Sequence, residues 1–200
     1  MTIYNNTITT NSVGIQLKGT GPFYVYGNNI TNNEAFGIQL FRCNNASIYE
    51  NNIEDNGVVV ELDNYRFEDG EAPGSGNTVY QNNFIHNLQQ AVVDKIWTWP
   101  YYEGAPFPYI PPPTDVVNGT DIVLWNKGKV GNYWGDYQSK YPKATEIDAS
   151  GIGNTPYVID QNNTDYYPLM QQVDISLPAP TPKPHLHQHL PQHLQVDFHY

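Results

Sequence analysis

Apolar residues in the first half of the chain alternate with polar ones in short runs, and the runs repeat. Ile3-Tyr4-Asn5-Asn6-Thr7-Ile8, Val25-Tyr26-Gly27-Asn28-Asn29-Ile30, Ile48-Tyr49-Glu50-Asn51-Asn52-Ile53 and Val79-Tyr80-Gln81-Asn82-Asn83-Phe84 share the pattern (I/V)-Y-x-N-x-(I/F). Each is followed by another asparagine, Asn11, Asn33, Asn56 or Asn87. A second apolar alternation comes next: Ile15/Leu17, Ile38/Leu40, Val60/Leu62 and Ala91/Val93. The repeat steps by 22, 23 and 31 residues, the last stretched by a Gly/Pro/acid-rich insertion at 63–76.

Alternation with period two is strand geometry. The runs end in Asn or Gly, which tolerate the left-handed backbone of tight turns. About 22 residues of short strands and turns make one coil of a parallel β-helix. The expected fold is therefore all-β, a right-handed parallel β-helix with a C-terminal cap. Coils stack about 4.8 Å apart, so equivalent positions form columns. Ile8, Ile30, Ile53 and Phe84 should make one inward column, and Ile3, Val25, Ile48 and Val79 a second. Leu17, Leu40, Leu62 and Val93 should make a third. Asn6, Asn28, Asn51 and Asn82 should form an amide ladder inside a turn. A leucine-rich repeat has a similar period but needs several leucines per repeat, where each coil here has about one.

Composition narrows the function. Nine basic against 20 acidic residues give a net charge of −11, which disfavours a nucleic-acid binder. Aromatics are as frequent as charged residues, at 14% each, so the surface is polar through amides and hydroxyls. The single cysteine, Cys43, allows no intrachain disulfide and is expected to be a small, half-buried turn residue. No apolar run approaches the roughly 18 residues of a membrane span. Five Asn-x-Ser/Thr triplets begin at Asn5, Asn29, Asn45, Asn118 and Asn162.

The coil pattern N-x-I-x-x-N-x-x-G-I-x-L resembles the NosD-type β-helix repeats of the pectin-lyase-like, carbohydrate-associated proteins. The second half adds three motifs in the family's order. Gly131-Asn132-Tyr133-Trp134-Gly135-Asp136-Tyr137 is similar to GNYWSDY. Gly151 to Asp160 is similar to GIGDTPYxID, and Asp165-Tyr166-Tyr167-Pro168-Leu169 to D-x-YPL. The resemblance covers about residues 1–170. It implies a surface or periplasmic protein of bacterial or archaeal type, and invites a role in copper-enzyme maturation. No His, Met or Cys recurs from coil to coil, which argues against a soft-ligand copper site there. Asp148 keeps one ligand position of a calcium loop, with Asn154 where the family has Asp.

The chain is expected to hold four coils at 1–95 and a Pro/aromatic loop at 96–118. A last coil with its cap should fill 119–170, and a Pro- and His-rich disordered tail 171–200. Ile3 has no strand below it, so further coils upstream are the expected partner. The tail histidines, His185, His187, His189 and His193, form an adventitious metal-chelating run, and a frameshift near Lys183 is the expected origin of that tail. The best functional reading is a non-catalytic extracytoplasmic module, structural or glycan-binding. Tyr4, Tyr26, Tyr49 and Tyr80, with Trp97 and Trp99, are the candidate sugar platforms, whereas Trp125 and Trp134 belong in the cap core. The alternative is a polysaccharide lyase or hydrolase using Glu61 and Asp63, spaced as a carboxylate pair. Lys18, Arg42, Arg66 and Lys95, the coil cations a lyase could use, are not expected to stack as a pair.

Overall fold

The computed structural model describes residues 1–63, 74–93, 96–97, 116–117, 123–160 and 162–175, with the backbone alone at 62–63, 92–93, 96–97 and 116–117. Two parallel sheets form the walls of a β-helix. The first has the order β1 (Thr2–Tyr4), β3 (Val13–Tyr26), β5 (Phe36–Tyr49), β7 (Val58–Asp63) and β10 (Gln89–Val93), with β8 (Thr78–Tyr80) also pairing β5. The second stacks β2 (Thr7–Thr9), β4 (Asn29–Thr31), β6 (Asn52–Glu54), β9 (Asn83–Ile85) and β13 (Tyr133–Trp134).

The columns read from the sequence are the register of the sheets. Ile3, Val25, Ile48 and Val79 are successive partners. So are Ile8, Ile30, Ile53 and Phe84, and Trp134 continues that column into the cap. Leu17, Leu40, Leu62 and Val93 align likewise along the backbone. Inward side chains of the middle coils are fully buried, and Ile3 and Ile8 of the first coil are half-buried.

Two expectations need correction. β3 and β5 are 14-residue strands, not short ones, because pairing continues around a corner. The corner is turned by register shifts at Lys18/Gly19 and Thr20/Phe23, which bend the strands while keeping their hydrogen bonds. Cys43 is not a half-buried turn residue: it lies within β5 opposite Gly19, 1% exposed.

β11 (Ile96–Trp97) and β12 (Val116–Val117) pair antiparallel, and residues 98–115 of the expected Pro/aromatic loop lie outside the described residues. Residues 64–73 of the insertion expected at 63–76, Trp99 and the histidine-rich tail lie outside the described residues, as do Arg66 and Lys95. The cap adds α1 (Tyr137–Lys140) and two small hairpins, β14 (Glu146–Ile147) with β15 (Ile152–Gly153) and β16 (Tyr157–Val158) with β17 (Thr164–Asp165). Its core is aromatic. Trp134 meets Phe84 edge-on at 4.7 Å and stacks flat on Tyr157 at 4.1 Å.

Candidate functional site

The buried polar chemistry lies in two asparagine ladders. In the first, each side-chain nitrogen donates to the Oδ1 of the next coil: Asn6 to Asn28 at 3.0 Å, Asn28 to Asn51 at 2.9 Å and Asn51 to Asn82 at 2.9 Å. Backbone N–H groups of the same residues donate to the same oxygens. The remaining amide hydrogen serves backbone carbonyls, as when Asn51 Nδ2 reaches Val25 and Tyr49. Asn11, Asn33, Asn56 and Asn87 build a second ladder on the same plan. Every asparagine-to-asparagine bond in both series runs toward the C-terminal end, while the second amide hydrogen reaches carbonyls of the same or the preceding coil.

The first ladder has two further members. Asn82 donates to Asn132 at 3.0 Å, and Asn132 meets Asp165. Asp165 Oδ2 accepts the Asn132 N–H at 2.7 Å, the Asn132 side-chain nitrogen at 3.4 Å and Trp134 Nε1 at 2.9 Å. Its Oδ1 accepts the Tyr167 N–H at 3.0 Å. A carboxylate has only acceptors, so it suits a terminus where donors converge and no further amide follows. Burial pushes the Asp165 carboxyl up to about 6, against the pull of these hydrogen bonds.

The three C-terminal motifs interlock here. A Cβ on Gly131 would overlap the Asp165 carboxylate, so only glycine fits. The Tyr157 hydroxyl donates to Asp136 at 3.0 Å, and burial, then the adjacent carboxylate, pushes that hydroxyl up. The Tyr137 hydroxyl donates to the Thr155 carbonyl at 2.7 Å, and a Cβ on Gly153 would collide with it.

Outside, Tyr4, Tyr26, Tyr49 and Tyr80 form one continuous stack, with ring centroids 5.4, 5.1 and 5.2 Å apart. The rings lie within 10–13° of parallel, so each covers the facing side of its neighbour; the outer face of Tyr4 stays open, and Tyr80 is buried. Lys127 closes the stack, its Nζ 5.0 Å from the Tyr80 ring. Desolvation and the neighbouring Tyr80 and Tyr26 push the Tyr49 hydroxyl up. Tyr24 stands beside the stack, 42% exposed, between the small partners Thr2 and Ser47.

On the same sheet Gln16 donates to Gln39 at 2.5 Å, and Gln39 to Glu61 at 2.6 Å. Glu61 is thus buried at the end of an amide row rather than placed on a solvated strand end. Asp63 follows it on β7, with only its backbone described. Lys18 and Arg42 are brought together after all: both lie over the Phe41 ring, at 4.9 and 5.8 Å.

The remaining candidates stay apart. Asp148 is exposed in a turn with φ 49°, while nearby Glu146 accepts the Gly151 N–H. Trp97 contributes backbone to β11, whereas Trp99, His185, His187, His189 and His193 lie outside the described residues. His86 is exposed, 3.6 Å from Glu54. Burial pushes the Cys43 thiol up to about 11, away from thiolate chemistry. Trp125 and Trp134 are both buried in the cap core.

Sequence reasoning missed Asn132 and Asp165. Asn132-Tyr133-Trp134 echoes Asn82-Asn83-Phe84 and could have signalled the fifth rung. Asp165 carries no repeat signal.

A family model described as "Periplasmic copper-binding protein (NosD)" matches residues 1–139. No curated protein and no solved structure matches the chain.

Proposed function

The chain belongs to the NosD family, and from that premise we propose that it is a non-catalytic β-helix module working outside the cytoplasm, structural in its core and glycan-contacting on its outer face. The family's description as periplasmic supports the location. The observation that carries the non-catalytic reading is the commitment of the buried carboxylates. Asp165 ends the asparagine ladder, and Glu61 ends the glutamine row. A hydrolase acid or base must be able to reach substrate and exchange a proton with it.

The glycan reading rests on the outer sheet face. Tyr24 projects beside a rigid tyrosine stack whose hydroxyls form a regular row, and Thr2, Ser47 and Thr78 border it. Exposed aromatics with adjacent hydroxyl and amide groups are suited to sugar rings. Because the stacked faces are covered, Tyr24 and the outer face of Tyr4 are the sugar-facing surfaces. Affinity electrophoresis in polysaccharide gels tests this. The protein should be retarded, and Tyr24→Ala should relieve the retardation. Equal mobility of the two proteins overturns glycan contact. The enzyme alternative is tested on the same polysaccharides: sustained product release that Glu61→Gln abolishes would replace the non-catalytic reading.

Copper, named in the family's description, does not fit the described residues. Among them, no three His, Cys, Asp or Glu side chains come together. Cys43 is buried, and His86 stands with Glu54 alone.

A further inference from the structure

Asparagine amides are heavily committed in this fold, each ladder residue giving its hydrogens to a neighbouring coil or a carbonyl. The Asn-x-Ser/Thr triplets depart from that rule in different degrees. Asn5 is exposed at the left-handed turn between β1 and β2, φ 54°, with its Oδ1 lying over Gly27. Its side-chain nitrogen makes no hydrogen bond among the described residues. Thr7, two residues on, is exposed on β2, which pairs with β4 on one side.

Asn162 is exposed in the turn between β16 and β17, and its side-chain nitrogen is likewise unbonded among the described residues. Asp160 Oδ1 shapes that turn by accepting the N–H groups of Asn162 at 2.7 Å and Asn163 at 2.8 Å. Asn29, by contrast, is half-buried in the middle of β4, paired to Thr7 on one side and Asn52 on the other. Asn45 is exposed, but Ser47 of its triplet is held between Tyr24 and Thr78 in the sheet. Asn118 lies outside the described residues.

We propose that Asn5 and Asn162 are acceptor sites for N-linked glycans, and that Asn29 and Asn45 are not. The proposal rests on the extracytoplasmic reading, because the co-reactants are a membrane oligosaccharyltransferase and a polyprenyl-diphosphate-linked oligosaccharide. In the transfer, Nδ2 attacks the anomeric carbon and a C–N bond forms. The bond from that carbon to the phosphate oxygen breaks, the lipid diphosphate leaves with the electron pair, and Nδ2 gives one proton to a base of the transferase. The triplet must lift from the surface into the transferase. The Asn5 and Asn162 triplets begin in turns and end on strands paired on one side among the described residues, whereas Asn29 and Ser47 lie in strands paired on both sides and must part from two neighbours.

The test mixes the purified, folded full chain with membranes whose transferase glycosylates short peptides of all four triplets. Site occupancy is read by mass spectrometry. Asn5 and Asn162 should be occupied about tenfold or more above Asn29 and Asn45, the ratio set by local opening. Heat-unfolded chain should lose that preference. Asn5→Gln and Asn162→Gln should each remove one glycan mass. Bare Asn5 and Asn162 on the folded chain, or equal occupancy of Asn29 and Asn45, overturns the assignment. If the mixture modifies both sites while protein recovered from its own cells is bare, the chain does not meet a transferase and lipid donor there, which overturns glycosylation in its cells and leaves the ranking of the four sites standing.

Discussion

Asn132 and Asp165 meet where the repeat stops: the backbone N–H of Asn132 donates to Asp165 Oδ2 at 2.7 Å, in the place where each earlier rung finds another asparagine oxygen. A directional ladder leaves donors at one end, and a carboxylate accepts all of them. Asp165→Asn would put an NH2 group among these N–H donors. It should lower unfolding free energy at pH 7 by about 1–3 kcal/mol, the range for an unsatisfied buried group, measured by denaturant unfolding.

The same carboxylate gives a pH signature. Its value is about 6 in the folded protein against 3.8 for the unperturbed group, so between those limits the folded state holds the extra proton. Its contribution to stability is present below pH 3.8 and is lost as pH rises through 6. Asp165→Asn lacks that term. The stability gap between wild type and variant should therefore widen as pH falls from 7 to 4. A gap that narrows over this range contradicts the assignment.

Two glycines separate sterics from backbone strain. Gly131 has the Asp165 carboxylate where a Cβ would stand, and Gly128 has φ 62° with nothing within 4 Å. Gly128→Ala should cost about 1–2 kcal/mol, the left-handed penalty. Gly131→Ala should cost more and should abolish the extra pH dependence. Thermal unfolding of the two variants checks the order.

The tyrosine stack should be worth more in its middle than at its end. Tyr49 is stacked on two rings and Tyr4 on one. With about 0.5–1.5 kcal/mol per aromatic contact, Tyr49→Ala should destabilise by roughly twice as much as Tyr4→Ala beyond their lost area. Equal losses in denaturant unfolding would mean the stack is incidental.

The sequence made the inward columns readable because a side chain's face follows from period two, and stacking then follows from the repeat. It also announced the ladder from Asn6 to Asn82. It did not announce Asp165, whose role exists only because the cap folds it under Trp134 and Asn132. Nor did it show β3 running unbroken past Gly19 and Pro22, residues that read locally as a stop; bulges carry the pairing across. Lys18 and Arg42 are separated in sequence yet share Phe41, a contact made by register between β3 and β5.

Metal binding should reside in the histidine-rich tail and not in the coils. Titrated with copper, the full chain should bind through the histidines at 185–193, and a chain ending at residue 175 should not. Calorimetry on both settles where binding resides. Stoichiometric copper binding by the shorter chain would contradict the dispersed ligands of the coils and cap.

A one-way amide ladder runs through the stacked coils and holds them in register. Asn82 is fully buried, with Nδ2 bonded to Ile48, Tyr80 and Asn132, whereas Asn6 is exposed. An aspartate in a middle rung faces carbonyl oxygens with no hydrogens to give. The most direct measurement is the unfolding free energy at pH 7 of Asn82→Asp against Asn6→Asp. Loss of about 3 kcal/mol or more at Asn82, from a buried unpaired charge, with about 1 kcal/mol or less at exposed Asn6, is the predicted result. Equal, small losses at both positions would contradict it.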